Sequence, residues 1–183
     1  MRKYYLILLL FFFSINQSSA SIKSGILNKL NLIENISFNF EQNINDKIEK
    51  GKCVLQYPKK IFCEYNLNNK KILVSNGRSI VVKTSNSYYI YPIEKTPLNS
   101  ILNKNFLLEK INNLKERNID EQFVNYNFVE NDNEINLFFD KKTFNLIGWQ
   151  TIDIYQNISI TYLSSIKRNQ KLKKNLFILP ERN

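Results

Sequence analysis

The sequence predicts a mainly β protein: a single curved antiparallel sheet, an incomplete β-barrel or half-barrel, closed by a few α-helices that act as a lid. About ten short apolar or alternating segments follow one another with short turns between them, which favours an antiparallel meander over β-α-β units. Helical patterns occur only near the N-terminus and in mid-chain. Because so few helices cannot form a separate layer, we expect the sheet to curl around its own concave face.

The first part of this pattern contains one helix and a series of strands. Apolar residues recur at helical spacing over residues 21–34, with Ser21 placed as the N-cap. The period then changes to strict alternation, which is typical of a strand with one buried face. Pro58 and Gly77 mark the turns of two hairpins. Strands are predicted over residues 36–41, 51–57, 61–66, 72–74, 79–83 and 88–91.

The middle of the chain predicts two short helices before the strands resume. Thr96 at the N-cap and Pro97 at the first helical position open one helix, and an amphipathic helix follows over residues 106–114. Further strands are predicted over residues 123–129, 135–139, 146–154, 158–163 and 176–179. No repeat or linker divides the sequence, so we expect one domain.

Residues 1–20 have the three parts of a secretory signal peptide. Arg2 and Lys3 supply positive charge, residues 4–13 form an apolar run, and small side chains precede a cleavage site after Ala20. A membrane anchor is the alternative, but the run is about half of the ~20 residues that span a bilayer. We therefore expect cleavage and export of residues 21–183.

The composition excludes many kinds of catalytic site. The sequence has no His and only 4 Gly, so it cannot build a Ser-His-Asp triad, a His-ligated metal site or a Gly-rich phosphate loop. Glu130, Asp132 and Glu134 alternate in a predicted turn, as solvated carboxylates do, whereas glycoside hydrolysis needs two carboxylates facing one cleft. These observations favour a binding protein that is not an enzyme and uses no metal or cofactor.

The formal net charge of +10 does not by itself indicate nucleic-acid binding. The lysines are scattered through a sequence rich in Lys, Asn and Ile, a composition typical of AT-rich coding. We expect no nucleic-acid partner for an exported protein. An anionic membrane surface or an acidic partner stays open as an explanation of the charge.

Six motifs follow one another along the chain: Phe38-Asn39-Phe40-Glu41-Gln42, GKCVLQYPKKIFCEY over residues 51–65, Ile72-Leu73-Val74-Ser75-Asn76-Gly77, Thr96-Pro97-Leu98, Leu146 with Trp149 and Asp153, and Leu176-Phe177-Ile178-Leu179-Pro180. In their order and residue pattern they resemble the motifs of the LolA family, the periplasmic carriers of outer-membrane lipoproteins in Gram-negative bacteria. The family usually has Arg before the hairpin proline, a residue linked to lid closure and ligand release, but here that residue is Tyr57. Lys59 or Lys60 could supply the charge, although Lys lacks the planar fork of Arg.

The resemblance implies an incomplete β-barrel with a helical lid. It also implies a carrier function in which no covalent bond is made or broken. A family member takes a lipoprotein from an inner-membrane ABC transporter of the LolCDE type and passes it to an outer-membrane receptor of the LolB type. The implied partners are acylated lipoproteins, that transporter and that receptor, and the implied form is a periplasmic monomer. Two alternatives stay open: a LolA-like lipid or envelope-stress sensor, and a carrier of another lipid.

Candidates for the wall of an acyl-binding cavity come from the alternating hairpin strands and the mid-chain helix. For Phe38, Phe40 and Leu73 the assignment is implied by the resemblance, because they match family positions on the concave face. For each candidate a purely structural place in the packed core is an equally open interpretation, and we interpret Trp149 as a core anchor. The acyl-cavity candidates are Phe38, Phe40, Leu55, Tyr57, Ile61, Cys63, Leu73, Leu98, Ile101 and Leu102.

Cys53 and Cys63 are the only cysteines in the sequence. If their hairpin centres on Pro58, the two residues lie opposite each other on one face, at the Cβ separation that a disulfide needs. Export permits oxidation. A disulfide and two free buried thiols both remain open, whereas a metal-binding or catalytic role is disfavoured.

Overall fold

The computed structural model describes residues 21–153 and 155–182, and the predicted signal peptide lies outside these residues. Eleven strands form one antiparallel sheet. Their bounds are β1 Asn35–Ile44, β2 Lys47–Gln56, β3 Lys60–Tyr65, β4 Ile72–Asn76, β5 Ser79–Lys83, β6 Tyr88–Pro92, β7 Arg117–Asn118, β8 Phe123–Glu130, β9 Asn133–Asp140, β10 Leu146–Ile152 and β11 Ile158–Arg168.

The strand order shows how the chain builds this sheet. Consecutive strands pair with each other except β6 and β7, and β1 also pairs with β11 at the centre of the sheet, giving the order β6-β5-β4-β3-β2-β1-β11-β10-β9-β8-β7. The sheet ends at β6 and β7, so it is not closed into a barrel. This confirms the prediction of a mainly β protein built on one antiparallel sheet.

Three helices and one short 3-10 turn accompany the sheet. The predicted cap of the first helix is present, because Ser21 Oγ accepts a hydrogen bond from Ser24 N at 3.2 Å. The predicted cap at Thr96 is wrong: its hydroxyl donates to the carbonyl of Ile93 at 2.8 Å and leaves the next helix without a side-chain cap. The bounds are α1 Ile22–Asn31, the 3-10 turn Ile93–Lys95, α2 Leu98–Ile101 and α3 Lys104–Asn113.

Hydrogen bonds from lysine side chains link helices α1 and α3. Lys104 Nζ of α3 donates to the carbonyls of Asn31 and Ile33 at 3.0 and 3.1 Å. Lys23 Nζ of α1 donates in return to the carbonyl of Leu114 at 2.6 Å. Each ammonium group satisfies carbonyls that a helix end leaves free and lies at the negative end of that helix dipole. The two helices therefore pack as a pair.

The predicted strand over residues 176–179 is wrong. These residues form a turn and irregular chain, and the segment lies against the outer face of the sheet. Leu172 and Leu176 line a groove with Val54 and Phe62, and Lys83 Nζ donates to the carbonyl of Glu181 at 2.8 Å. An apolar run of four residues does not by itself distinguish a strand from a segment that covers an apolar surface.

The apolar core lies mainly on the inner side of the sheet. Inward side chains of the strands form one cluster with Ile26 and Leu30 of α1 and Leu107 and Ile111 of α3. The sequence alternation that predicted the strands also predicted this burial. The helices thus cover part of the inner face and leave the rest for a cavity.

Candidate functional site

A cavity of about 260 Å³ lies between the inner face of the sheet and α2. Its wall is mostly aliphatic and aromatic. Within the described part of the chain, no Lys, Arg, Asp or Glu lines it. The apolar lining residues are Phe38, Phe40, Cys53, Ile61, Cys63, Tyr65, Leu73, Ile80, Val82, Tyr91, Pro97, Leu98, Ile101 and Trp149.

Strand register brings one row of the wall together from five adjacent strands. Phe38 lies opposite Cys53, Cys53 opposite Cys63, Cys63 opposite Leu73, and Leu73 opposite Val82. Because side chains alternate between the two faces of each strand, fixing the register of one pair fixes the whole row. The cavity wall is therefore a direct product of the hairpin turns.

Cys53 and Cys63 are joined by a disulfide within this row, with their Cα atoms 4.1 Å apart. Both residues are buried, at 6% and 4% exposure. The bond lies across β2 and β3 and faces the cavity. It therefore fixes the spacing of the two strands at the middle of the wall.

Aromatic rings line the central part of the cavity. Trp149 packs edge-to-face on Phe38 with ring centroids 6.4 Å apart, and Tyr65 packs in the same way on Phe40 at 4.9 Å. Such pairs hold the rings in fixed orientations. Trp149 is therefore both a packed core residue and part of the wall.

The lid helix α2 is attached to the β2–β3 turn by main-chain atoms. Lys59 N donates to the carbonyl of Leu102, directly after α2, at 2.7 Å. The buried Ser75 hydroxyl donates to the carbonyl of Lys59 at 2.8 Å and steadies the turn. A peptide N–H thus makes the contact between this turn and the lid. Within residues 21–153 and 155–182, the ammonium groups of Lys59 and Lys60 make no hydrogen bond or ion pair with α2.

Tyr57, which stands where the family usually has Arg, lies away from the cavity. It borders a separate small gap with Leu30, Ile33 and Phe144. Burial raises the pKa of the Tyr57 phenol, because the ionised form would lose its solvation. The residue is therefore a neutral packing group.

One end of the cavity is polar. Gln42 Nε2 donates to Ser159 Oγ at 3.1 Å and to Thr161 Oγ1 at 3.2 Å. Thr151 lines the same cavity and lies opposite Ser159 in the β10–β11 register. Amide and hydroxyl groups therefore replace aliphatic ones at this end.

A buried ion pair lies on the strand next to this polar end. Glu49, opposite Gln42 in the β1–β2 register, is 5% exposed and pairs with Lys71. Lys71 Nζ also lies 4.2 Å from the ring centroid of Tyr65. Burial, and secondarily the charge of Glu49, raise the pKa of Tyr65, so its phenol stays neutral.

The ten acyl-cavity candidates divide into two groups. Leu55 and Leu102 are fully buried in the core and Tyr57 borders the other gap, so these three do not line the cavity. Tyr65 and Tyr91 line the cavity but were not among the predicted residues, although Tyr65 continues the alternation of Ile61 and Cys63. The structure places on the cavity wall Phe38, Phe40, Ile61, Cys63, Leu73, Leu98 and Ile101.

None of the helices in residues 21–153 and 155–182 is both long and apolar enough to cross a membrane. In the same residues no three His, Cys, Asp or Glu side chains are grouped as a metal ion would require.

Comparison with known proteins identifies the family. The family model described as "Outer membrane lipoprotein carrier protein LolA" matches residues 31–179. The chain belongs to the LolA family. The family resemblance of the sequence motifs is thereby confirmed, and members of this family are binding and carrier proteins rather than enzymes. A search of curated proteins found no match.

Solved structures with similar folds include three from different bacteria. A LolA-superfamily protein from Nitrosomonas europaea is 8% identical, with 86% of this chain and 97% of that chain covered and a TM-score of 0.45. The Mycobacterium tuberculosis lipoprotein LppX is 11% identical, with 85% and 100% covered and a TM-score of 0.44. A chain of the Pseudomonas aeruginosa MucA/MucB complex is 11% identical, with 88% and 62% covered and a TM-score of 0.39. At such low similarity the family assignment rests on the sequence match.

Proposed function

We propose that this LolA-family protein carries lipoproteins through the periplasm by sheltering their acyl chains in the cavity under α2. It would receive them as a monomer from an inner-membrane ABC transporter of the LolCDE type and deliver them to an outer-membrane receptor of the LolB type. The observation that supports this most strongly is the cavity itself, which is apolar along most of its wall and bounded by a short helix.

The energetics of acyl burial require incomplete enclosure. Burying a methylene contributes about 0.8 kcal/mol, so one chain of about 16 carbons contributes about 12 kcal/mol. Two or three fully buried chains would exceed the ~20 kcal/mol that limits non-covalent binding. A carrier that must release its cargo therefore buries the chains only in part, or releases them when its lid moves.

The size of the cavity supports a moving lid. A cavity of about 150 Å³ holds a benzene molecule, so one of about 260 Å³ admits a segment of one acyl chain. Whole acyl groups need more room, which displacement of α2 supplies. A helix of 4 residues has little stability of its own. Breaking its main-chain bond to Lys59 costs about 1 kcal/mol.

Native mass spectrometry of protein lacking residues 1–20 tests the proposal. The protein is mixed with a triacylated lipoprotein and, separately, with its unacylated form. We expect a one-to-one complex with the acylated form alone. Leu98→Asp, which places a charge on the cavity wall, should remove the complex, whereas Leu32→Asp, at a residue 73% exposed, should leave it intact.

Other outcomes would contradict the carrier function. Equal binding of the two lipoprotein forms would show that the acyl chains are not recognised. Absence of any complex would favour a sensor or a carrier of another lipid. The lipid that co-purifies with the protein from Gram-negative cells then separates these two alternatives.

A further inference from the structure

The polar end of the cavity has an arrangement that folding alone does not favour. β11 directs Ser159 and Thr161 toward the cavity and carries Ile160 and Tyr162 on its outer face. Thr161 is 3% exposed, whereas Tyr162 is 55% exposed. A strand that only buried apolar surface would show the opposite alternation. The inward hydroxyls therefore indicate a role other than core packing.

These polar groups satisfy one another only in part. Gln42 Nε2 donates to Ser159 and Thr161, but a hydroxyl that accepts a hydrogen bond still has its own proton to donate. In residues 21–153 and 155–182, the Thr151 hydroxyl and the Gln42 amide oxygen have no hydrogen-bond partner. Three hydroxyl donors are thus available at one end of an apolar cavity.

The chemistry of this end selects an uncharged acceptor. No charged side chain of the described residues lines the cavity, so an anion there would lose its hydration without gaining a counter-ion. Glu49, next to Gln42, is already paired with Lys71. A carbonyl oxygen needs only hydrogen-bond donors, which Thr151, Ser159 and Thr161 supply.

We propose that Gln42, Thr151, Ser159 and Thr161 form a subsite for the ester or amide carbonyls that join acyl chains to their head group. The chain then runs from this polar end along the aromatic wall toward α2. The inference rests on the proposed function, since it assigns an orientation and a linkage chemistry to the same acyl ligand. A free fatty-acid carboxylate is a poor ligand for this subsite.

Displacement of a fluorescent probe tests the subsite. N-phenyl-1-naphthylamine, an uncharged apolar fluorophore, reports occupation of the cavity, and monooctanoylglycerol and octanoate at about pH 8 compete with it. We expect the neutral ester to displace the probe at a lower concentration than octanoate. Thr151→Val keeps the side-chain shape and breaks no internal hydrogen bond, and it should weaken the ester relative to the probe about fivefold.

Matched variants control this measurement. Ser164→Ala removes an exposed hydroxyl from the same strand, β11, outside the cavity, and should leave the ratio of ester to probe affinity unchanged. Thermal unfolding shows whether each variant is folded, and Ser159→Ala replaces Thr151→Val if the latter is not. An unchanged ratio in the folded Thr151 or Ser159 variant, or equal displacement by octanoate and ester, overturns the subsite while leaving acyl binding intact.

Failure of the carrier proposal gives a result that differs from failure of the subsite alone. If neither the probe nor any acyl compound binds the wild-type protein, both proposals fall together. The source of the carbonyl is resolved by comparing a dipalmitoylglyceryl-cysteinyl peptide with dipalmitoylglycerol. A Thr151→Val effect on both supports recognition of the shared ester, and an effect on dipalmitoylglycerol alone assigns the subsite to a membrane-derived acylglycerol.

Discussion

Loss of the Cys53–Cys63 disulfide is expected to destabilise the protein without changing its fold. The cysteines are 10 residues apart in sequence, and closing a loop of this length in the unfolded chain is worth about 2.7 kcal/mol at 25 °C in the chain-entropy model. The β2–β3 register and the surrounding apolar contacts do not depend on the bond. Reduction should therefore lower the melting temperature by about 5–11 °C for a chain of this size.

Urea unfolding with and without a reductant measures this effect. The Cys53→Ala/Cys63→Ala variant serves as the control, because its stability should not respond to the reductant. The oxidised wild-type protein should contain no titratable thiol, and peptide mapping should recover the two cysteine peptides as one linked species. Two free thiols in the unreduced protein, or equal stability with and without reductant, would refute the reasoning.

Three further changes test the packing around the site. Asp140 has a lowered pKa, chiefly because the Thr143 hydroxyl donates to it; Asp140→Asn should be less stable at neutral pH. Because a lowered folded-state pKa gives stability that is lost as the pH falls, the deficit of Asp140→Asn in urea melts should shrink below about pH 4. A deficit that stays constant would argue against a contribution from the ionised Asp140 carboxylate. Gly51→Ala places a Cβ against the carbonyl oxygen of Glu64 and should cost about 1–3 kcal/mol in urea unfolding; wild-type stability would show that β2 and β3 are spaced differently. Lys104→Met removes the ammonium that bonds the carbonyls after α1 and should cost about 1–3 kcal/mol, with Lys115→Met as an exposed control, and equal stabilities of the two variants would contradict the helix pairing.

The sheet was predictable because its signals are local. Alternation in β1 and the turns at Pro58 and Gly77 are enough to fix strand register, and with it the row that joins Cys53 to Cys63. Strands β1 to β6 therefore follow from the sequence within a few residues at their ends. The two-residue strand β7 carries no such pattern, since a period cannot be seen over two residues.

The cavity was predictable only in part, because its limits depend on distant packing. Alternation shows that Leu55 and Ile61 face inward, but not that Leu55 is fully covered while Ile61 borders a cavity. The position of α2 determines which of these two residues borders the cavity, and α2 is held by a main-chain hydrogen bond that no side chain in the sequence indicates. The polar end could not be predicted in the same way, because only apolar side chains indicate an apolar wall, although Ser159 and Thr161 alternate on the inner face of β11.

The position of the acyl chains in the cavity is tested most directly by photo-crosslinking in Gram-negative cells. A benzoylphenylalanine side chain replaces Leu98 in the cavity wall or, as a control, Val129, which is 65% exposed. Cells produce a lipoprotein with its acylated cysteine or with that cysteine replaced. We expect a crosslink from position 98 to the acylated lipoprotein alone. Equal crosslinking from both positions, or to the unacylated protein, would contradict acyl binding in this cavity.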